Sequence, residues 1–374
     1  MSQWIEKALG EVTSYIAKGI TPKYSDNLTE NTVYVLNQKC NRNYIISYEP
    51  ARIHDLIKKK ISKEKLLKKG DVLINSTGQG TAGRVAQIWD IPYPTATDGH
   101  MITLRASQEI DKLYYGYAIK AHQNQIESLA EGSTGQTEIN RKRLLEEVVI
   151  RFPKEKDVQY KIAHILENID KKIAINKKIN RNLSEQCDAI YRDQFITKSH
   201  SSWTTGYLSD LITVKYGKDH KKLEDGDIPC YGSGGVMRYV ERPIYDHESV
   251  LIPRKGTLNN VMYVNVPFWS VDTMFYTVMK ISNVAKFVYH FVKGKDLASM
   301  NAGSAVPSMT VDILNAMELQ IPSSTALAEF ETIVQPLYKA MKDNEIENKK
   351  LAELRDTLLP KLMSGELDVS DLDI

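Results

Sequence analysis

The chain has 374 residues, 42% hydrophobic and 26% charged, and its 49 Lys and Arg against 47 Asp and Glu leave a net charge of +2. That length and composition exclude a disordered chain and suit two or three globular domains, while a charge so near zero excludes a surface that attracts polyanions everywhere, so any nucleic-acid affinity must come from local clusters. The three cysteines, Cys40, Cys187 and Cys230, lie far apart without CxxC spacing, and no apolar run approaches membrane-spanning length. This predicts a reducing compartment, no zinc site and no membrane partner.

The N-terminal stretch MSQWIEKALGEV mixes charges with apolar residues and lacks the continuous core of a signal peptide, so a cytoplasmic location is expected. Trp4 opens a W-x4-LGEV segment. A lysine-rich stretch follows, with Lys58, Lys59, Lys60, Lys63, Lys65, Lys68 and Lys69. Residues 70–74 read as a strand, then comes Gly78-Gln79-Gly80-Thr81-Ala82-Gly83, then a second strand over 84–89 and a third over 98–104. Leu113, Tyr114, Tyr117, Ala118, Ala121, Ile126 and Leu129 mark the apolar face of a helix. A Gly132-Ser133-Thr134 loop, the basic run Arg141, Lys142, Arg143 and a strand ending at Pro153 complete the first module.

Residues 162–190 predict one long amphipathic helix, with apolar residues at Ile162, Ile165, Leu166, Ile169, Ile173, Ile179, Leu183 and Ile190. The same order then returns. Trp203 opens W-x4-LSDL, a third basic cluster sits at Lys218, His220, Lys221 and Lys222, strands are expected over 249–252 and 272–278, and Val284, Phe287, Val288, Phe291 and Leu297 mark a helix. Gly303-Ser304-Ala305 and a strand ending at Pro322 lead to a second long helix carrying Phe330, Ile333, Val334, Leu337, Met341, Leu351, Leu354 and Leu358.

A constant shift of 168 superposes the two long helices without a gap. In heptad terms their a positions read Ile162, Ile169, Asn176, Leu183, Ile190 and Phe330, Leu337, Asn344, Leu351, Leu358, so each carries one polar a residue at its midpoint. A single buried Asn costs stability but fixes register. Antiparallel pairing with aligned centres would bring Asn176 to Asn344. The predicted organisation is α+β with a pseudo-two-fold internal repeat: a first module over 1–155, a helix over 156–198, a second module over 199–323, and a helix with an acidic tail over 324–374.

Enzymatic signatures are absent. The GxGxxG at Gly78 is followed by a predicted strand, whereas a dinucleotide fingerprint must open a helix whose N-terminus receives the pyrophosphate. There is no GxxxxGK[ST], HExxH or GxSxG, no N/D-P-P-aromatic tetrapeptide, and His54, His100, His122 and His164 stand singly. A chain without catalysis or cofactor of its own is expected. What remains is a set of loops whose side chains can read base edges or phosphates: Asn75, Thr77, Gln79, Ser133, Gln136, Arg141, Lys142 and Arg143 in the first module, and Tyr231, Ser233, Arg254, Lys255, Thr257, Asn301 and Ser304 in the second. Arg and Lys suit guanine, Asn and Gln suit adenine, and glycine admits close approach of the backbone. Ordinary solvent loops are the bland alternative; matched placement in both halves favours binding. Tyr231-Gly232-Ser233-Gly234-Gly235 has no counterpart in the first half, so the two modules are expected to recognise different sequences.

Two variable modules alternating with two matching helices, with GSTGQTEINRKRL at 132–144, IAHILENIDKKIAINKKINRNL at 162–183 and ELRDTLLPKLMSGEL at 353–367, make a chain that resembles the specificity subunit of type I restriction-modification systems over essentially its whole length. The resemblance implies that each module is a target-recognition domain for one half of a bipartite, asymmetric site in double-stranded DNA. It implies that the helices pair as an antiparallel coiled coil that sets the spacer and docks two methyltransferase subunits. Restriction and translocase subunits would join through these, and the partners, not this chain, would use S-adenosylmethionine, ATP and Mg. An interaction scaffold outside restriction, with peptide-binding modules on a coil, is the alternative from another class. An NAD-type enzyme built on the Gly78 loop is weaker.

Overall fold

The computed structural model describes residues 3–132, 137–198, 203–300, 308–370 and 372. The chain divides into two compact units, Met1–Ile175 with Glu347–Ile374, and Asn176–Ile346. The divisions fall inside the two long helices, Lys156–Arg192 and Ser324–Ser364, so each unit holds one module and a part of each helix. The helix starts differ by the same 168 residues as the sequence repeat.

Both modules are built on one plan of mixed helix and sheet. In the first, a four-stranded antiparallel sheet runs in the order Thr13–Lys18, Met101–Ala106, Val72–Asn75, Val85–Gln87; in the second the order is Ile212–Tyr216, Met274–Met279, Ser249–Pro253, Met262–Val264. The central strands are apolar on both faces, with Val72, Leu73 and Ile74, and Val250, Leu251 and Ile252, all fully buried. One face packs on a helix, Lys112–Ala121 or Ala285–Lys293. The first of these stops at His122 and a separate helix, Gln123–Ser128, continues the apolar face that reads as one helix in the sequence. The other face carries a second sheet, four strands in the first module and three in the second. Trp4–Ala8 pairs with Val149–Pro153, and Thr204–Tyr207 with Glu318–Ile321, so each module closes its ends together beside its long helix.

In the first unit Val158, Ile162, Ala163 and Leu166 of one long helix and Leu359, Leu362 and Met363 of the other join the module core. The two helix segments run in opposite directions there, because Lys172 meets Glu347 at 3.5 Å, Asp170 accepts from Arg355 at 2.7 Å, and Lys161 donates to the Ser370 carbonyl at 3.0 Å. The last of these contacts, with Val369 buried and Gly365 lying against the Trp4 ring, docks the acidic tail through Ser370. In the second unit the segments also oppose, Tyr191 packing on Phe330 and Asn180 on Asn344. Phe330 is fully buried among Tyr191, Phe195 and His290; its truncation to Ala would cost about 3–5 kcal/mol.

The apolar stripe differs in detail from the expected one. Ile179, Ile333 and Leu354 are exposed at 41%, 46% and 47%, whereas Cys187, Tyr191 and Leu359 take inward places. Asn176 is buried, and Asn344 donates to Asn180, one helical turn further along than the expected Asn176.

Candidate nucleic-acid interface

One edge of the main sheet is built identically in both units. In the first, Gly19 follows the strand end at Lys18, its N–H donating to the Met101 carbonyl at 3.0 Å, and Ile20 N–H donates to the Thr97 carbonyl at 2.7 Å. A Cβ on Gly19 would fall 2.0 Å from the Asp98 carbonyl, so only glycine lets the chain cross here. Past the end of Val72–Asn75, on the other side of Met101–Ala106, Ser76 N–H donates to the His100 carbonyl and Ser76 C=O accepts from Ile139, while Thr77 and Glu138 form an isolated antiparallel bridge. In the second unit Gly217 donates to Met274 at 3.0 Å, Lys218 to Ser270 at 2.8 Å, Arg254 to Thr273 at 2.9 Å, Met309 to Arg254 at 2.9 Å, and Lys255 bridges Ser308. Thr77 therefore stands where Lys255 stands, and Ser76 where Arg254 does.

Around Thr77 the first unit gathers donors and cations. The Thr77 hydroxyl donates to Gln38 Oε1 at 3.4 Å and stands 2.8 Å from Nδ1 of the exposed His100. Lys18 is ion-paired with Glu138, and Lys65 Nζ donates to the Lys18 carbonyl. Burial, then the nearby Arg141 guanidinium, hold Lys65 below the usual lysine range. Arg141 itself is exposed at the first turn of the helix Arg141–Glu147, whose N-cap Asn140 accepts from Lys142 N–H at 3.0 Å and Arg143 N–H at 3.3 Å. Gln79 is exposed at the tip of the Gly78 loop. Positive φ at Gly78, Gly80 and Gly83 turns that loop tightly between the antiparallel strands Val72–Asn75 and Val85–Gln87, and no helix starts there, so it has no pyrophosphate-binding geometry.

Two residues expected among the readers do other work. Asn75 is fully buried; its Nδ2 donates to the Gln38 carbonyl at 3.2 Å and its Oδ1 accepts from Asn41 at 3.2 Å, so it braces the edge from beneath. Arg143 is held by Glu147, at 2.6 and 3.0 Å, and by Glu131 at 2.5 Å. These bonds raise its already high pKa and lower those of both carboxyls, leaving its charge neutralised. Lys142 is exposed and 4.0 Å from Glu146. Ser133, Gln136, Asn301 and Ser304 lie outside the described residues.

In the second unit Arg254 lies over the exposed Tyr216 ring, 5.4 Å from its centroid, and donates to the Asp272 carbonyl at 3.2 Å. Lys255 and Thr257 are exposed on the same loop. Gly256 takes a φ of +85°, and a Cβ there would lie 2.8 Å from Ser233 Oγ. The Ser233 carbonyl accepts from Asn260 at 2.8 Å, as the Gln38 carbonyl accepts from Asn75. Tyr231 pairs in parallel with Ser270 as Leu36 pairs with Thr97, so the Tyr231–Ser233 segment does have a positional counterpart, Leu36–Gln38, with different side chains. Lys65 and Lys218 join this edge from the basic clusters, and Gln38, His100 and Lys18, and likewise Tyr216 and Asn260, join it although nothing local in the sequence marks them. Their only signal is the repeat itself, once one copy has been placed. Among the described residues no group of His, Cys, Asp and Glu could hold a metal ion, and no helix is long and apolar enough to cross a membrane.

The type I restriction modification DNA specificity domain, as a family model, matches residues 1–185 and 200–356. The MjaIX specificity subunit of Methanocaldococcus jannaschii is 24% identical, with 82% of this chain and 80% of that protein covered. A putative type I specificity subunit of Mycoplasma genitalium is 27% identical over 68% and 71%, and the HindI specificity subunit of Haemophilus influenzae 20% identical over 98% and 100%. The crystal structure of a type I system S subunit from M. genitalium superposes with a TM-score of 0.60 at 20% identity, covering 96% of each chain, which shows a shared fold.

Proposed function

This chain belongs to the type I restriction-modification DNA specificity family, and on that premise we propose that each of its modules reads one half of a bipartite, asymmetric site in double-stranded DNA through the sheet edge described above. The observation that carries this reading is the pairing of one backbone frame with two side-chain sets. Gly19 and Gly217 make the same crossing, yet Thr77, Gln38 and His100 stand in one unit where Lys255, Ser233 and Thr273 stand in the other. A constant frame holds loops at a duplex; variable side chains on it choose the bases.

The long helices would set the spacer between half-sites and dock two methyltransferase subunits, and restriction and translocase subunits would join through these. Chemistry then lies with the partners, which would use S-adenosylmethionine, ATP and Mg, and this chain contributes recognition. A peptide-binding scaffold outside restriction is not favoured, since the family match spans both modules. The test is to map methylated motifs in DNA from cells carrying this chain and its methyltransferase, before and after exchange of residues 203–322 for another module of the family. One half-site should change while the other persists. A simultaneous change in both would show that the modules are not independent readers.

A further inference from the structure

The second module carries an exposed apolar pair at the edge assigned to DNA. The strands Asp225–Gly232 and Gly235–Val240 form a hairpin turning through Ser233 and Gly234, and Val236 and Met237 follow the turn. Their side chains are 46% and 59% exposed, Met237 more so than any other large apolar side chain on a described strand of that unit. The hairpin is stiff. Arg238 Nη2 donates to Asp225 at 2.7 Å and to the Leu223 carbonyl at 3.0 Å, and a Cβ on Gly232 would fall 2.3 Å from Met237 Sδ, so the thioether lies across the bare Gly232 backbone. Its turn is clamped to the basic loop through Ser233, by Asn260 at 2.8 Å and by close approach of Gly256.

We propose that Met237 is a base-reading residue of the second module that makes an apolar contact with the 5-methyl group of a thymine in its half-site. The inference rests on the DNA-reading role of this edge. A duplex is the occupant that fits, because exposed Lys255 and the Arg254–Tyr216 pair on the adjoining loop draw a polyanion. Of the groups in the major groove, the thymine methyl is the one that an apolar side chain recognises. The first module lacks the feature. There Arg52 occupies the position of Arg238, paired with Val35 as Arg238 is with Cys230, and the residue before it is Ala51. The contact therefore distinguishes the two half-sites.

The test uses the chain assembled with its methyltransferase. In Met237→Ala the methylated motif should relax at a single T·A pair of one half-site, with the other half-site intact and the unfolding temperature unchanged, since the side chain is exposed. On duplexes in which that thymine is replaced by uracil, the parent chain should bind about fourfold more weakly, the worth of one buried methyl group, and Met237→Ala should bind both duplexes alike. An unchanged motif, relaxation at a pair other than T·A, an equal uracil penalty for both chains, or loss of methyltransferase assembly in Met237→Ala would each overturn the assignment. Absence of any defined bipartite motif with the parent chain would instead overturn the DNA-reading role itself.

Discussion

Asn344 Nδ2 donates to Asn180 Oδ1 at 2.8 Å across two oppositely directed helix segments, and Asn180 Nδ2 in turn donates to the Met341 carbonyl at 2.9 Å. An amide pair in a seam that also buries Asn176 stabilises one register by penalising those that leave it unpaired. Asn344→Leu should therefore cost about 1–2 kcal/mol through the orphaned Asn180 carbonyl oxygen. The double change Asn180→Leu with Asn344→Leu should recover that loss or exceed it. A double-mutant cycle by chemical unfolding measures the coupling; additive losses would show that the pair does not act as a unit.

Gly19 and Gly217 make equivalent crossings, where a Cβ would lie 2.0 Å from a backbone carbonyl, Asp98 in one unit and Val271 in the other. Backbone cannot give way as a side chain can. Gly19→Ala or Gly217→Ala should each destabilise its own unit by about 3 kcal/mol or more. Amide hydrogen exchange should locate the loosened protection in the substituted unit, and protection lost evenly from both would contradict the assignment.

His290 lies in the second unit between Asp188, 2.7 Å from Nδ1, and the Tyr338 hydroxyl, 3.0 Å from Nε2. Burial pulls its pKa down to about 4 against the opposing pull of Asp188. Below its ordinary value near 6.5 the unfolded chain takes up a proton that the folded one refuses. Stability from this group is thus complete above pH 6.5 and is lost as pH falls toward 4, by up to about 3 kcal/mol. Unfolding of the parent chain and of His290→Gln across pH 4–7 checks this: the variant should be weaker at pH 7 but flatter over that range.

Lys120 occupies the corresponding region of the first unit, packed on the Tyr44 ring at 4.2 Å, with Asp170 4.0 Å away and already bonded by Tyr117 and Arg355. Its buried Nζ has no hydrogen-bond partner among the described residues, and burial pulls its pKa down to about 8. Between pH 8 and 10.5 the folded chain binds fewer protons than the unfolded one, so stability from this group rises with pH there. Lys120→Met should stabilise the protein at pH 7 by about 1–2 kcal/mol and remove that rise. A destabilised Met variant would mean that the charge is better compensated than the distances indicate.

Arg141 and Arg143 share a helix turn but not a role. Arg143 is consumed by Glu131 and Glu147, while Arg141 is exposed beside Lys65 with no ion pair among the described residues. Arg141→Ala should weaken DNA binding and, if it holds a phosphate, reduce the salt slope by about one. Lys255→Ala is expected to behave likewise in the second module, or to lose affinity at particular base pairs by about 1–3 kcal/mol if the contact is bidentate to a base. Arg143→Ala should leave the salt slope unchanged. Titration of binding against salt separates the three.

The repeat, the two long helices and the sheet strands near 72–75, 85–87, 101–104, 249–252 and 274–278 were legible in the sequence because each is written in periodicity or in a fixed offset, and the family was legible through its resemblance in the segments 132–144, 162–183 and 353–367. Helix and strand patterns record which residues turn inward, and the shift of 168 held to the residue at Lys156 and Ser324. What tertiary structure alone decided is which polar groups are free. Asn75, on a strand end, reads as a donor for bases until the Gln38 carbonyl and Asn41 claim both ends of its amide; Arg143 reads as a cation until Glu131, twelve residues away, completes its neutralisation. The same limit applies to the helix seam, where Ile179 turns to solvent and Cys187 inward because packing against a module replaces a strict heptad. A hydrogen bond or ion pair is satisfied by proximity in space, and local sequence carries no record of partners brought from a distance.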